Sequence, residues 1–317
     1  MDTLHSSLSR HCSRWTDSSL LTLRVDTALA RHSQINLLLR SLNRSVHSSL
    51  LIVLPLLAAC SRPGAETASE DEAARERTVI THEFPVTEDF YQITNVGSFQ
   101  VEISEGPCSV TAVGDSAVIS AMRCSVTYGG LTLSTPLEEN YDVTPWAMDN
   151  ATKVIIHLPQ LRILANCGSG HIKYLGTLRT PRLHMGGMGS GTIEMDSIVC
   201  GHFRYECTRA TQTALAHVLC DTAEIVVYGE GNTDIGVEAS EMVVCDLSGQ
   251  SGLTLRAKAP LVYAYSTTSA DATLDVQTED LTVDWRGTGI VTLLGQAKEK
   301  NVRSSRMGTM EDKVTIR

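Results

Sequence analysis

The sequence is poor in aromatic side chains and has no apolar run long enough to cross a bilayer. Its 317 residues include only 4 Phe, 3 Trp and 8 Tyr, 5% in all. That scarcity argues against rows of stacked rings that hold single-stranded nucleic acid or sugars. Basic residues are also the minority, 26 Lys and Arg against 36 Asp and Glu, for a formal charge of −10. Phosphate backbones are bound by clustered Lys and Arg, so no nucleic-acid partner is expected. The longest apolar run, Leu50–Ala59, has ten residues, and a spanning helix needs ~20. After residue 78 no segment sustains a helical apolar stripe with caps; Ser116–Cys124 is the best candidate for a short helix. The 23 Gly are near average use, which excludes collagen-like and low-complexity chains. The length allows one large domain or two medium ones, with a sizeable core.

Residues 1–59 form a segment of their own. They hold six Arg (10, 14, 24, 31, 40 and 44), no Lys and three Asp. Arg40 and Arg44 precede the short apolar run, and small residues follow it, which is the order of a secretory signal. Residues 1–35 exceed what such a signal needs, so translation is expected to start downstream of Met1. The run ends Leu57-Ala58-Ala59-Cys60, which resembles the lipobox of bacterial lipoproteins, where the Cys thiol is acylated and the chain is cut before it. Cys60 is therefore the expected lipidation site and the expected mature N-terminus. Residues 60–80 are polar without apolar periodicity and read as a flexible tether. From Cys60 onward 20 basic and 33 acidic residues remain, a formal charge of −13. So acidic a chain is not expected to lie flat on anionic lipid, which leaves the lipid as the anchor, in the outer membrane of the envelope.

The rest reads as an all-β repeat. Apolar and polar residues alternate in Phe99-Gln-Val-Glu-Ile103 and Lys153-Val-Ile-Ile-His-Leu158. Gly-x-Gly recurs at Gly168 and Gly170, Gly189 and Gly191, Gly229 and Gly231, and Gly287 and Gly289. Arg209-Ala-Thr-Gln212, Gly249-Gln-Ser-Gly252 and Thr267-Thr-Ser-Ala270 stand at the intermediate places, so the step is about 19 to 21 residues, with one of 18 between Gly249 and Thr267. A short β run follows each punctuation and another precedes it. Two or three short strands per ~20 residues is one coil of a parallel β-solenoid. A meander sandwich would not keep so constant a punctuation. The glycines are expected at corners that need φ > 0 or where backbones crowd. Residues 84–150 are less regular. Glu105-Gly-Pro-Cys108 and Tyr128-Gly129-Gly130 suggest hairpins that cap the first coil, and 296–317 reads as a C-terminal tail.

Ile93-Thr-Asn-Val-Gly-Ser-Phe-Gln-Val-Glu-Ile-Ser-Glu-Gly106, Gly130-Leu-Thr-Leu133, Val154-Ile-Ile-His-Leu-Pro-Gln-Leu161 and the Gly-Ser-Gly-x-Ile segments at 168 and 189 resemble the putative auto-transporter adhesin head GIN domain family. That bacterial family is common in Bacteroidetes lipoproteins. The resemblance covers about 84–295. It implies a right-handed β-helix-like fold and a surface or adhesion role, with no established catalytic set. The coils near 210 and 268 depart from the family pattern in lacking the glycines, and wider corners are expected there.

Cofactor chemistry finds no foothold. Seven Cys remain after Cys60, an odd number that leaves at least one thiol unpaired within the chain. Cys108 and Cys124 are placed to bridge the cap, and Cys200 and Cys220, twenty apart, to stack. Cys200, His202 and Cys207 do not make a metal site, because on one strand His202 and Cys207 point to opposite faces. Asp196, Asp221, Asp234 and Asp246 are the carboxylates nearest to an acid pair, but their separations do not put them in one column. Gly-Ser-Gly is neither a nucleophile elbow nor a phosphate cradle, since no helix follows. Outward positions such as Lys173, Glu194, Arg204, Glu224, Thr254, Asp275 and Thr282 suggest plain lateral faces. Neither an aromatic stripe nor a hollow of ~300 Å³, the lower bound of a small-molecule site, is expected there. The expected function is a non-catalytic binding or structural module meeting a glycan or protein of the envelope or a host surface. The alternative is a carbohydrate-active β-helix, a polysaccharide lyase or hydrolase.

Overall fold

The computed structural model describes residues 78–135, 152–305 and 307–317. The segment 1–59, Cys60 and most of the tether lie outside the described residues. The described residues are nearly all strand, 71% with 3% helix, wound into a β-solenoid of about 8 turns of roughly 20 residues. The first elements are β1 (Val79–Phe84), β2 (Gln92–Asn95), β3 (Gln100–Glu105), β4 (Ser109–Asp115), α1 (Ser116–Ala121), β5 (Arg123–Thr127), β6 (Gly130–Ser134), β7 (Lys153–Leu158) and β8 (Ile163–Asn166). The long strands follow: β9 (His171–Gly187), β10 (Thr192–Cys207), β11 (Gln212–Val227), β12 (Asn232–Leu247), β13 (Gly252–Ser266), β14 (Ala272–Trp285) and β15 (Ile290–Ser304). The short β16 (Thr309–Asp312) and β17 (Thr315–Ile316) end the chain.

The runs expected as two or three short strands per repeat are continuous strands bent at corners. In β10 the buried side chains are Ile193 and Met195, then Ile198 and Cys200, then Phe203, Tyr205 and Cys207. Within each group the step is two, the period of a strand. Between groups it is three, which keeps both neighbouring runs facing inward while the chain turns. Three faces result: a first at 192–195, a second at 197–200 and a third at 202–207. Thr208–Thr211 closes the coil. From β9 to β15 neighbouring strands pair in parallel, so like positions stack. One inward column runs Tyr174, Met195, Leu215, Ile235, Leu255, Leu274, Leu293. Each such side chain is buried and contributes about 2 kcal/mol. The column is apolar throughout because a polar residue there would face neighbours above and below with nothing to bond.

The cap has an order that the hairpin reading misses. β2 pairs with β6 and with β8, and β3 pairs with β7 and with β9, all in parallel. The coil β2–β3 therefore lies between β6–β7 on one side and β8–β9 on the other, although β6 and β7 come later in the chain. β4 runs antiparallel to the far edge of β7, and β1 antiparallel to β4. So Glu105–Cys108 does not link a hairpin: β7 separates β3 from β4. β5 and β6 do form one, and its turn holds Tyr128 (φ 52°) and Gly129 (φ 75°) in the left-handed region. The helix α1 is shorter than the stretch expected, and its N-cap Asp115 accepts from the Ala117 N–H at 2.8 Å. Inside the cap, Asn95 Nδ2 donates to Asn166 Oδ1 at 3.2 Å, with both residues fully buried.

Residues 296–317, read from the sequence as a tail, continue the stack. β15 runs through to Ser304, and β16 and β17 pair in parallel with it.

Candidate functional site

The Gly-x-Gly glycines lie at the turn that closes each coil, and their role there is steric. Gly191 sits directly over Gly170, and a Cβ on Gly191 would come 2.0 Å from the Gly170 carbonyl oxygen. Gly168, Gly189, Gly229, Gly231, Gly287 and Gly289 meet the carbonyl of the preceding coil equally closely, and Gly170 meets that of Phe99 at 2.4 Å. None of the eight has a positive φ; that conformation belongs to Gly129, Gly176, Gly249 and Gly295. Of the two reasons for a glycine there, crowding applies and backbone handedness does not. The glycine-free turns use a different device. The buried Thr211 donates its hydroxyl to the carbonyl of Gly189 at 2.9 Å, and Thr268 to that of Gly249 at 3.0 Å. A hydrogen bond to the coil beneath thus stands where the other coils have close backbone contact.

Outward charges are matched from coil to coil. Arg204 Nη1 meets Glu224 Oε2 at 2.6 Å, and Lys258 Nζ meets Glu238 Oε1 at 2.6 Å. Arg256 pairs with Asp234, and Lys298 with Glu279. The four carboxylates singled out above do not converge. Asp196 lies at the first corner and Asp221 at the second, where it accepts from Ser240 Oγ at 3.0 Å. Asp234 is taken by Arg256, and Asp246 stands on the third face. His157 shares a 2.8 Å hydrogen bond with Ser104, and His202 one of 2.5 Å with Thr222. His171 bonds Thr192 in the same manner. Burial, with Arg204 adjacent, pushes the His184 pKa down to about 4. Among the described residues no three His, Cys, Asp or Glu are grouped to hold a metal ion.

All seven described cysteines are free thiols, so Cys108 and Cys124 do not bridge the cap. Cys200 and Cys220 stack on the second face, and burial pushes their pKa values up to about 12 and about 11. These are inert core thiols, since the thiolate is the reactive form.

The lateral surface is less plain than the sequence reading expected. At the first corner β11 carries one residue more than β12, so that Ala216 and His217 oppose Gly236 alone. The step opens a groove of about 330 Å³, lined by His217, Leu219, Glu238, Arg256, Lys258 and Asp275 among others. A second hollow of about 290 Å³ lies over the first face between Glu194 and Thr254. Among the described residues the third face carries no aromatic stripe, as expected, but it does carry a cluster of tyrosines that the sequence reading did not foresee. Tyr263 and Tyr265 alternate with the buried Val262 and Ala264 and so point outward from β13. In β12 Val244 underlies Tyr263 and Asp246 underlies Tyr265; in β11 Val226 underlies Asp246. Tyr228, 41% exposed, projects from the end of β11 beside them. Asp246 carries no hydrogen bond or ion pair among the described residues, and burial and then Glu224 raise its pKa. Burial and then Asp246 push Tyr228 up to about 12. The alternation of Leu261-Val-Tyr-Ala-Tyr265 already held the signal for this face: the small residues had to be the inward ones.

The model of a family described as putative auto-transporter adhesin, head GIN domain, matches residues 89–264. A solved structure of a putative adhesin from Parabacteroides distasonis aligns with a TM-score of 0.61 at 13% identity, over 74% of this chain and 97% of the other. A putative adhesin from Bacteroides fragilis aligns with a TM-score of 0.54 at 16% identity, over 75% and 97%. A putative lipid binding protein from Parabacteroides distasonis gives 0.52 at 14%, over 74% and 96%. At these identities the likeness establishes the fold. No curated protein matches the chain in sequence.

Proposed function

The chain belongs to the putative auto-transporter adhesin, head GIN domain family, and on that premise we propose that it is a cell-envelope binding module. In this reading Cys60 carries the lipid that holds it to the outer membrane, and the lateral faces attach to an envelope or host-surface partner without turnover. The observation that carries the reading is the coil-to-coil matching of charge. Arg204, Arg256, Lys258 and Lys298 each neutralise a carboxylate on a neighbouring coil. Exposed pairs of this kind add little stability, ~0–1 kcal/mol each. They leave a broad surface of paired charges with an acidic excess, in which acids and bases do not converge on one reacting atom. Such a surface suits contact at many points.

Two measurements test it. Mass spectrometry of the membrane fraction should find no peptide from residues 1–59 and a diacylated Cys60, and Cys60→Ala should release the protein. A screen against pectins, glycosaminoglycans and host glycans should show binding without cleavage.

The groove at Gly236 favours the second reading, a carbohydrate-active enzyme, because Glu238, Arg256, Lys258 and Asp275 line a hollow of about 330 Å³. Against it, Arg256 and Lys258 are already ion-paired, so neither is available as a base. Cleavage lost in Glu238→Gln or Asp275→Asn, or on replacing Asp196, Asp221 or Asp234 by Ala, would establish the enzyme instead.

A further inference from the structure

The third face joins two chemical features that seldom meet by accident. One is an unpaired carboxylate and the other is a set of aromatic rings around it. Rows of a parallel stack lie ~4.8 Å apart, and outward side chains along a strand are ~6.6 Å apart. On that grid Asp246 has Val226 below it, Tyr265 above it and Val244 beside it, with Tyr263 on one diagonal and Tyr228 on the other. Every other carboxylate of the patch has a cation. Arg204 lies 2.6 Å from Glu224 and 3.4 Å from Glu206, and Arg286 lies 2.7 Å from Asp284. Among the described residues Asp246 alone has none. The rings of the patch already show a preference for cations, because the Arg286 guanidinium sits 5.7 Å from the centre of the Tyr265 ring.

We infer that Asp246, with Tyr228, Tyr263 and Tyr265, forms a cradle for a lysine or arginine side chain of a partner protein. Charge complementarity selects the ligand. The patch sets the four carboxylates of Glu206, Glu224, Asp246 and Asp284 against the three guanidiniums of Arg204, Arg286 and Arg303, so a cation is drawn to the one acid left over, and tyrosine faces attract cations further. The openness of the face selects a protein over a small amine. The side chains lie on a sheet surface and do not enclose a pocket. A free amine would stay hydrated on its outer side, where a cation–π contact and an exposed charge pair are weak. A protein surface laid over the tyrosines, Val244 and the exposed Met242 excludes that water and strengthens both contacts. The inference rests on the binding reading above and names its partner.

The test is calorimetric titration of the full chain at 150 mM salt with hexalysine, hexaglutamine, n-butylamine and a neutral hexasaccharide. Hexalysine should bind, and the other three should not. Asp246→Asn, which keeps shape and removes charge, should weaken hexalysine binding about tenfold. Tyr263→Leu should weaken it several-fold, and Glu194→Gln on the first face should leave it unchanged. Equal losses in Asp246→Asn and Glu194→Gln would mean diffuse attraction to an acidic chain and would overturn the inference. So would undiminished binding in Asp246→Asn, saccharide binding on this face, tight n-butylamine binding, or no hexalysine binding at all. If hexalysine fails while another envelope component binds, the binding reading stands and the cradle falls. If a substrate is cleaved, the binding reading itself falls.

Discussion

Thr211 donates its hydroxyl hydrogen to the carbonyl of Gly189, one coil beneath it, at 2.9 Å. Gly191 and Gly231 fill the same column in the coils on either side, each with backbone where a Cβ would be. The turn column thus holds bare glycine at Gly191 and Gly231 and a side chain that bonds downward at Thr211. Gly191→Val should therefore destabilise by about 1–3 kcal/mol through overpacking. Thr211→Val, which keeps the shape, should cost about 1 kcal/mol for the lost bond. Urea denaturation of both variants measures this. An unchanged midpoint for Gly191→Val would refute the crowding described at that turn.

Acid should weaken the fold through His184. Its pKa is held down to about 4, first by burial and then by Arg204, against ~6.5 in an unfolded chain. Between these values the unfolded chain binds the extra proton, so stability is full above ~6.5 and falls as pH drops toward 4. The loss should approach, at most, ~3 kcal/mol. Thermal melts of wild type and His184→Gln across that range should converge on the acid side, with the variant nearly flat.

Asp246 should act with the opposite sign. Its folded pKa is raised, by burial first and Glu224 second, so the fold disfavours the ionised form. That cost is present at neutral pH and is relieved as pH falls through the raised value. Asp246→Asn should melt at or above the wild-type temperature at pH 7, with the gap closing on acidification. A clear loss of stability at pH 7 would mean that the carboxylate has a structural partner.

The stacked thiols should be silent. Burial holds Cys200 up to about 12, Cys220 to about 11 and Cys245 to about 12. Little thiolate is then available at pH 8. Iodoacetamide at that pH should label these three only after denaturation. Rapid native labelling of Cys245, which is 1% exposed, would show that the coils open readily.

The period was legible because crowding favours glycine at a fixed place in most coils, and Gly168, Gly189, Gly229 and Gly287 report that place. The faces were legible from Ile193, Met195 and their counterparts. Three things were not. The pairing of β7 between β3 and β4 depends on contacts across some fifty residues, which no local pattern reports. The continuation of the stack past residue 295 was obscured because β15 ends in exposed polar residues such as Glu299 and Arg303 that resemble a tail. The tyrosine patch draws on two coils, with Tyr228 on one and Tyr263 and Tyr265 two coils on. It becomes a cluster only once the register between Asp246 and Tyr265 is known.

The spatial order of the cap also dictates when the chain can assemble. β2 and β3 are synthesised before their neighbours, yet both of their edges are claimed by strands that come later, β6 and β7 on one side and β8 and β9 on the other. A polypeptide emerging amino end first cannot lay down turn upon turn from its leading end. Its opening strands must wait, edges unsatisfied, until at least Tyr174 has arrived, and only then does a template exist on which the regular coils zip up one after another. If the chain is exported as proposed, threaded through a membrane in extended form, that delay would keep roughly the first hundred residues of the strand-bearing region from folding inside the conduit.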